Sequence, residues 1–165
     1  MDRKLREKSH LKAQGWTKWI FAMAPEGTRR KKNLEQRIGQ VGFKNANLRA
    51  KLGKEIQRVK HRCGIYEWRA TKHRGAAPIV VYLGSTCPRD RGQWQRMQSR
   101  IVQYSTDGNH KTDNINNALK NGYELWVRFK PAIDEEEAKR MENDLLARYD
   151  YAWNIRENGD QRQIL

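Results

Sequence analysis

One carboxylate stands out by its position. In DEEEAKRMENDLLARYDY, a step of about 100° per residue puts Ala138, Met141, Leu145, Leu146 and Tyr149 on one helical stripe, with Glu142 near its middle. A carboxylate turned toward an apolar face loses hydration unless a cation or strong donors meet it. Three roles would offset that cost: an ion pair with one of the many arginines, a glutamate reaching water from the stripe edge, or a metal ligand. Upstream, GQWQRMQSRIVQY sets Trp94, Met97, Ile101 and Tyr104 at helical spacing, with Arg100 beside the stripe and Arg96 facing further outward. Arg100 suits a bidentate clamp on phosphate, or the neutralisation of Glu142. Arg96 suits a solvated position or a nucleic-acid backbone contact. The four histidines, His10, His61, His73 and His110, share no metal-binding spacing, and no serine or cysteine lies in a recognisable nucleophile motif.

These side chains need elements to hold them. In GIYEWRATKHRGAAPIVVYLGS, the runs Ile65–Ala70 and Ile79–Leu83 are rich in β-branched and aromatic residues and read as strands. The connection TKHRGAAP is too short for a crossover helix, so the pair is expected to be antiparallel, with Tyr66 on one strand and Tyr82 on the other. YELWVRFK, Tyr123–Lys130, alternates as a third strand should, and Pro131 is expected to stop it. Thr112 or Asp113 is expected to cap a short helix, DNINNALKN, that Gly122 ends. The clearest helix is expected from Asp134 to about Tyr149, since an acidic DEEE start complements the helix dipole.

Residues 1–62 differ in character from residues 63–165. GWTKWIFAMAP is an apolar island in which Trp16 and Trp19 would share one side of a helical turn, as core rather than as base-stacking groups. TRRKK, with Arg29, Arg30, Lys31 and Lys32, suits a phosphate contact or a nuclear-import patch, or simply a solvated surface. Leu48, Leu52, Ile56 and Val59 then recur at helical spacing, so a basic helical extension, or a partly ordered arm, is expected over residues 29–62.

The whole chain has 165 residues, enough for one modest core, and 34 Lys and Arg against 19 Asp and Glu leave a net charge of +15. So basic a chain repels itself, which suggests a polyanionic partner; nucleic acid is the leading one, with an acidic membrane surface or solubility alone as the alternative reading. No apolar run is long enough to span a bilayer, and MDRKLREKSH lacks the apolar stretch of a secretory signal, so an intracellular site is expected. Cys63 and Cys87 form no zinc pattern. They flank the hairpin closely enough for a disulfide, but free thiols in a reducing compartment are the expectation.

The Gly64-Ile65-Tyr66 and Tyr82-Leu83-Gly84 pair resembles the GIY-YIG nuclease family. That resemblance covers residues 63–158 and implies a small three-stranded antiparallel sheet flanked by helices, an α+β fold. The family order of tyrosine, tyrosine, helical arginine, helical glutamate and asparagine reads here as Tyr66, Tyr82, Arg100, Glu142 and Asn154. Within the family, GIYEW, VVYLGS, SRIVQYSTDGNH and MENDLLARYDYAWNIRENG are similar to the GIY-YIG-like domain of plant Effector of Transcription proteins, although the cysteine-rich repeats of those proteins are not present here.

The resemblance implies a metal-dependent endonuclease acting on DNA, with Mg²⁺ or Mn²⁺ on Glu142 and no small-molecule cofactor. Tyr66 would position or deprotonate the attacking water, Tyr82 would hydrogen-bond the phosphate or that water, Arg100 would steady the phosphoryl charge, and Asn154 would orient the site. A phenol ordinarily titrates near ~10, so a base role needs a cation nearby. Three departures bear on this. YIG has become Tyr-Leu-Gly. The loop before Arg100 is long enough to make Arg91 or Arg96 alternative essential arginines. Tyr104 stands where the family often has histidine, which leaves His110 as a replacement proton carrier. A DNA-binding transcriptional regulator that keeps the fold without turnover is the alternative function. The plant likeness and TRRKK together point to the nucleus.

Overall fold

The computed structural model describes residues 4–5, 15–25, 63–72, 77–87, 104 and 111–154. Arg29, Arg30, Lys31, Lys32, Arg91, Arg96, Arg100 and His110 lie outside the described residues, as do the helices expected over 29–62 and 93–104.

A four-stranded antiparallel sheet organises the chain. In chain order the elements are β1 (Lys4–Leu5), β2 (Ile20–Met23), β3 (Cys63–Thr71), β4 (Ile79–Thr86), α1 (Thr112–Lys120), β5 (Glu124–Ala132), α2 (Glu135–Arg148) and β6 (Tyr149–Asp150). The sheet order is β2-β5-β3-β4, while β1 and β6 form a short parallel pair. The three expected strands are present as β3, β4 and β5, with β3 central.

The fourth strand, β2, corrects the helical reading of the GWTKWIFAM island. Ile20 to Met23 pair with β5 and all four are buried. Strand pairing takes these residues because β5 offers a free edge, a long-range partner that local spacing of tryptophans cannot reveal. β5 also runs through Pro131 to Ala132 rather than stopping before it, with Pro131 opposite Gly64.

The helices follow their local signals. Asp134 accepts from the Glu137 amide at 2.8 Å, and Glu137 reaches back to the Ile133 amide at 2.6 Å, so two otherwise orphaned donors at the start of α2 are satisfied. At α1 the cap position belongs to Lys111, not to Thr112 or Asp113, and no side chain caps it. After α1 the chain turns at Gly122, whose φ of 85° suits glycine.

Apolar residues divide between the two faces of the sheet. On one face Tyr66, Trp68, Tyr82, Val127 and Phe129 pack with Tyr104 and with Ile115, Ala118 and Leu119 of α1. On the other, Ile65, Val80 and Leu83 pack with Leu146, Met141 and Leu145 of α2 and with Tyr151. This second face also buries an ion pair. Glu67 and its cross-strand partner Arg128 are 0% and 2% exposed, with Arg128 Nε donating to Glu67 at 2.8 Å and the Tyr151 hydroxyl donating to its other oxygen at 2.8 Å. The Arg128 guanidinium sits 4.4 Å from the Trp16 ring centroid and 4.5 Å from that of Trp19. The two tryptophans therefore tie the segment before β2 onto the sheet through cation–π contacts.

The expectation of free thiols is overturned. The pairing Gly64↔Thr86 brings the flanking Cys63 and Cys87 opposite each other at the end of the hairpin, Cα atoms 4.0 Å apart, and they form a disulfide.

Candidate functional site

The β3–β4 register explains why two glycines accompany the two tyrosines. Tyr66 pairs with Gly84, and a Cβ on Gly84 would stand 2.5 Å from the Tyr66 hydroxyl and 2.6 Å from its ring carbon Cζ. The phenol of one strand lies over the bare backbone of the next. Gly64 answers a different need: a Cβ there would fall on the Lys130 carbonyl, with Pro131 Cα at 3.1 Å, so its small size lets β5 approach β3.

Tyr66, Tyr82 and Tyr104 converge on one sheet face. Their ring centroids are 5.9 to 6.2 Å apart. The Tyr66 and Tyr104 hydroxyls hydrogen-bond at 2.9 Å, and the Tyr104 hydroxyl donates to that of Tyr82 at 3.4 Å. Burial, and then the neighbouring phenols Tyr66 and Tyr82, push Tyr104 far above the ordinary phenol range. Tyr104 is therefore a permanent neutral hydroxyl joining the two hairpin tyrosines. Histidine in its place would titrate; tyrosine links.

Lys111 joins this group and was missed at the level of sequence. It is buried, its ammonium lies 4.9 Å from the Tyr82 ring centroid, and it donates to the Trp153 carbonyl. Burial pushes the Lys111 ammonium down to about 8. The one available signal was its place immediately before a helix that follows a turn-rich segment.

Glu142 reaches the sheet from the other side. It is half-buried, and its carboxylate accepts from the Ser85 hydroxyl at 2.5 Å. Strand alternation puts Ser85 with Leu83 on the α2 face and Gly84 with Tyr82 on the phenol face. The carboxylate and the tyrosines thus share β4: Ser85, which holds Glu142, directly follows the glycine covered by Tyr66. At ~3.3 Å per residue, Ser85 and Tyr82 are on the order of 10 Å apart along the strand. Ser85 was also missed; its signal is its position immediately after the second motif glycine.

Asn154 has a defined task. Its side chain accepts from the Leu83 amide at 3.0 Å and donates to the Leu83 carbonyl at 2.9 Å, while the Trp153 amide donates to the Val81 carbonyl at 2.8 Å. The segment after α2 thereby pairs with the outer edge of β4, the strand that carries Tyr82 and Ser85. Asn154 works as a piece of artificial strand that covers an open edge.

Among the described residues, no group of three or more His, Cys, Asp or Glu side chains gathers to hold a metal. The donor set at Glu142 is one oriented carboxylate. That fits Mg²⁺ or Mn²⁺, which can be held by one or two carboxylates together with waters and substrate phosphate.

Comparison with known proteins agrees with this architecture. Residues 54–164 match the model of the GIY-YIG domain-containing proteins. The chain is 32% identical over 74 residues to the protein Effector of Transcription 3 of Arabidopsis thaliana, covering 44% of this chain and 27% of that protein. It is 28% identical over 93 residues to Effector of Transcription 2 of the same plant, covering 44% of this chain and 19% of that protein. The matches thus span about a quarter or less of each relative's length. No solved structure matches at comparable significance.

Proposed function

The chain belongs to the GIY-YIG domain family, and from that premise we propose that it is a metal-dependent endonuclease that hydrolyses phosphodiester bonds of DNA. The observation that carries the reading is the shared strand. Tyr82, Gly84 under Tyr66, and Ser85 holding Glu142 follow one another on β4, so three phenols and one oriented carboxylate border the same stretch of backbone.

Hydrolysis requires a water to lose a proton as it attacks phosphorus, and an oxygen to leave with the electron pair of the broken P–O bond. Tyr66 and Tyr82, linked through Tyr104, orient that water and take its proton, and the leaving oxygen collects one from solvent. Glu142, fixed by Ser85, would hold Mg²⁺ or Mn²⁺, which when bound supplies Lewis-acid stabilisation of the phosphoryl oxygens. Arg100, four residues before Tyr104, steadies charge on the phosphate, with Arg91 or Arg96 as alternatives. Asn154 holds the outer edge of β4 beside these groups. The net charge of +15, to which Arg29 to Lys32 contribute, supplies phosphate contacts that are tolerant of sequence, and His110 adds a further contact.

A second reading is favoured by the names of the relatives: a DNA-binding regulator of transcription, placed in the nucleus, that retains the fold without turnover. Supercoiled plasmid incubated with the protein and Mg²⁺ or Mn²⁺ separates the two. The endonuclease yields nicked or linear DNA with the native chain and not with Glu142→Ala. Binding that weakens with salt, and intact plasmid from both proteins, establishes the regulator instead.

A further inference from the structure

Two guanidiniums share one tryptophan on the sheet face that packs against α2. Arg69 lies 4.7 Å from the Trp19 ring centroid, and Arg128 lies 4.5 Å from it. Arg128 is matched by the Glu67 carboxylate, to which its Nε donates at 2.8 Å. Arg69 forms no ion pair among the described residues, and its Nε is buried without a hydrogen-bond acceptor there. Burial and then the neighbouring Arg128 hold the Arg69 guanidinium below its ordinary range. Both are costs of carrying a positive charge at this spot, and a bound anion relieves both.

The side chain is also held by a second ring. Trp126 is the cross-strand partner of Arg69, with its ring centroid 5.3 Å from the guanidinium, and Trp126 in turn packs edge-on against Phe21 at 5.5 Å. Two cation–π contacts hold the guanidinium in place, so its fork of donors gives up less freedom when an anion arrives. Such a fork matches an oxyanion that accepts two bonds at once, as a phosphate does. Arg69, Trp19 and Trp126 each keep part of their surface open, and Lys18 and Lys72, next to Trp19 and near Arg69 in the chain, are exposed. Within a chain of net charge +15 these cations call for a polyanion with repeated phosphates rather than a single acidic group. The segment 26–62 is itself strongly cationic, so charge complementarity favours an anion of another molecule.

We propose that Arg69, held between Trp19 and Trp126, is a clamp for a backbone phosphate of DNA, on the sheet face opposite the three tyrosines. Its place on β3 sets its distance from the carboxylate site. Ile65 is the cross-strand partner of Ser85, which holds Glu142, and Arg69 is four residues further along β3. At ~3.3 Å per residue that separation is on the order of 13 Å. Strand phosphates advance ~3.4 Å per step along a duplex, so the phosphate on Arg69 belongs to a nucleotide several steps from one at Glu142. The clamp holds the strand beside the site and takes no part in the reaction.

This inference rests on DNA as the partner, which both readings of the function share, and not on cleavage. Binding of a labelled DNA duplex is followed by fluorescence anisotropy in EDTA at a series of salt concentrations. The proteins are the native chain, Arg69→Gln, Arg69→Lys and Lys139→Gln, with circular dichroism as the check on folding. Lys139 is an exposed cation of α2 paired with Glu135, so its loss changes net charge away from the clamp. Arg69→Gln is expected to bind more weakly and to lower the slope of log affinity against log salt by about one. Arg69→Lys is expected to keep the slope and lose affinity, because a point charge replaces the fork. Lys139→Gln is expected to match the native chain. A native slope in folded Arg69→Gln, or an equal fall in Lys139→Gln, overturns the proposal. Should Arg69→Gln not fold, Arg69→Lys decides, and native affinity in it overturns the clamp. Polyglutamate that binds with the same dependence on Arg69, where the duplex shows none, would assign the site to acidic protein and overturn it as well. A native chain that binds no duplex overturns DNA as the partner and the clamp with it, whereas uncut plasmid alone overturns only the endonuclease.

Discussion

The Ser85 hydroxyl donates to the Glu142 carboxylate at 2.5 Å, joining the middle of α2 to the strand that carries Tyr82. Helical periodicity singles out Glu142 as a carboxylate that needs a partner. Among the described residues the Ser85 hydroxyl meets it and fixes the orientation of one of its oxygens.

Ser85→Ala should therefore weaken metal binding without unfolding the domain. Loss of a hydrogen bond that orients a ligating carboxylate costs about 10- to 100-fold in affinity, and a comparable factor in cleavage at limiting Mn²⁺ is expected. Calorimetric titration with Mn²⁺ measures the first quantity. Affinity equal to that of the native protein would mean that Ser85 plays no part in holding Glu142 for the ion.

Gly84→Ala tests the close approach of the two motif strands. The added methyl collides with the Tyr66 ring, so overpacking should cost roughly 2 kcal/mol in denaturant unfolding. The same substitution in a Tyr66→Ala background should cost much less, because the obstructing ring is gone. A double-mutant cycle with no coupling between the positions would place the strain elsewhere.

The buried pair of Glu67 and Arg128 should be costly to break from one side. Glu67→Ala leaves Arg128 without its carboxylate under Trp16 and Trp19, and a loss on the order of 3–5 kcal/mol is expected. Denaturant midpoints of this variant and of Glu67→Gln report it. The amide keeps an acceptor for the Tyr151 hydroxyl, so its loss should be the smaller of the two.

Lys111 gives a pH signature in stability. Its proton is released at about 8 in the folded chain against an ordinary 10.5, so in that window the unfolded chain binds more protons. Folding stability contributed by this position then rises as pH climbs from about 8 to about 10.5, by on the order of 1–3 kcal/mol. Lys111→Met lacks this rise. Unfolding free energies of the two proteins near pH 7.5 and near pH 10 should diverge in favour of the native chain at the higher pH. A constant difference would contradict a buried ammonium.

Local signals made much of this fold legible. β-branched and aromatic runs bounded by glycine and proline located β3 and β4 to within a few residues, and the acidic start at Asp134 located α2. The residues that remained hidden are those whose partners lie far along the chain. Ile20 to Met23 form a strand only because β5 offers an edge more than a hundred residues later. Arg128 and Glu67 are recognisable as a buried pair only once β3 and β5 are aligned. Cys63 and Cys87 pair because the hairpin register places them opposite each other, a fact that counting cysteines leaves open. Lys111 looks like one more cation in a chain of net charge +15 until burial distinguishes it.

The account stands on Glu142 and the tyrosines forming one site around β4, although they approach it from opposite faces. Mn²⁺ is paramagnetic and broadens nuclear resonances near it, so its effect on the ring signals of Tyr66, Tyr82 and Tyr104 measures that relationship. Stoichiometric Mn²⁺ should broaden the Tyr66 and Tyr82 rings in the native protein and leave them sharp in Glu142→Ala. Sharp tyrosine signals in the native protein, or equal broadening in both, would contradict it.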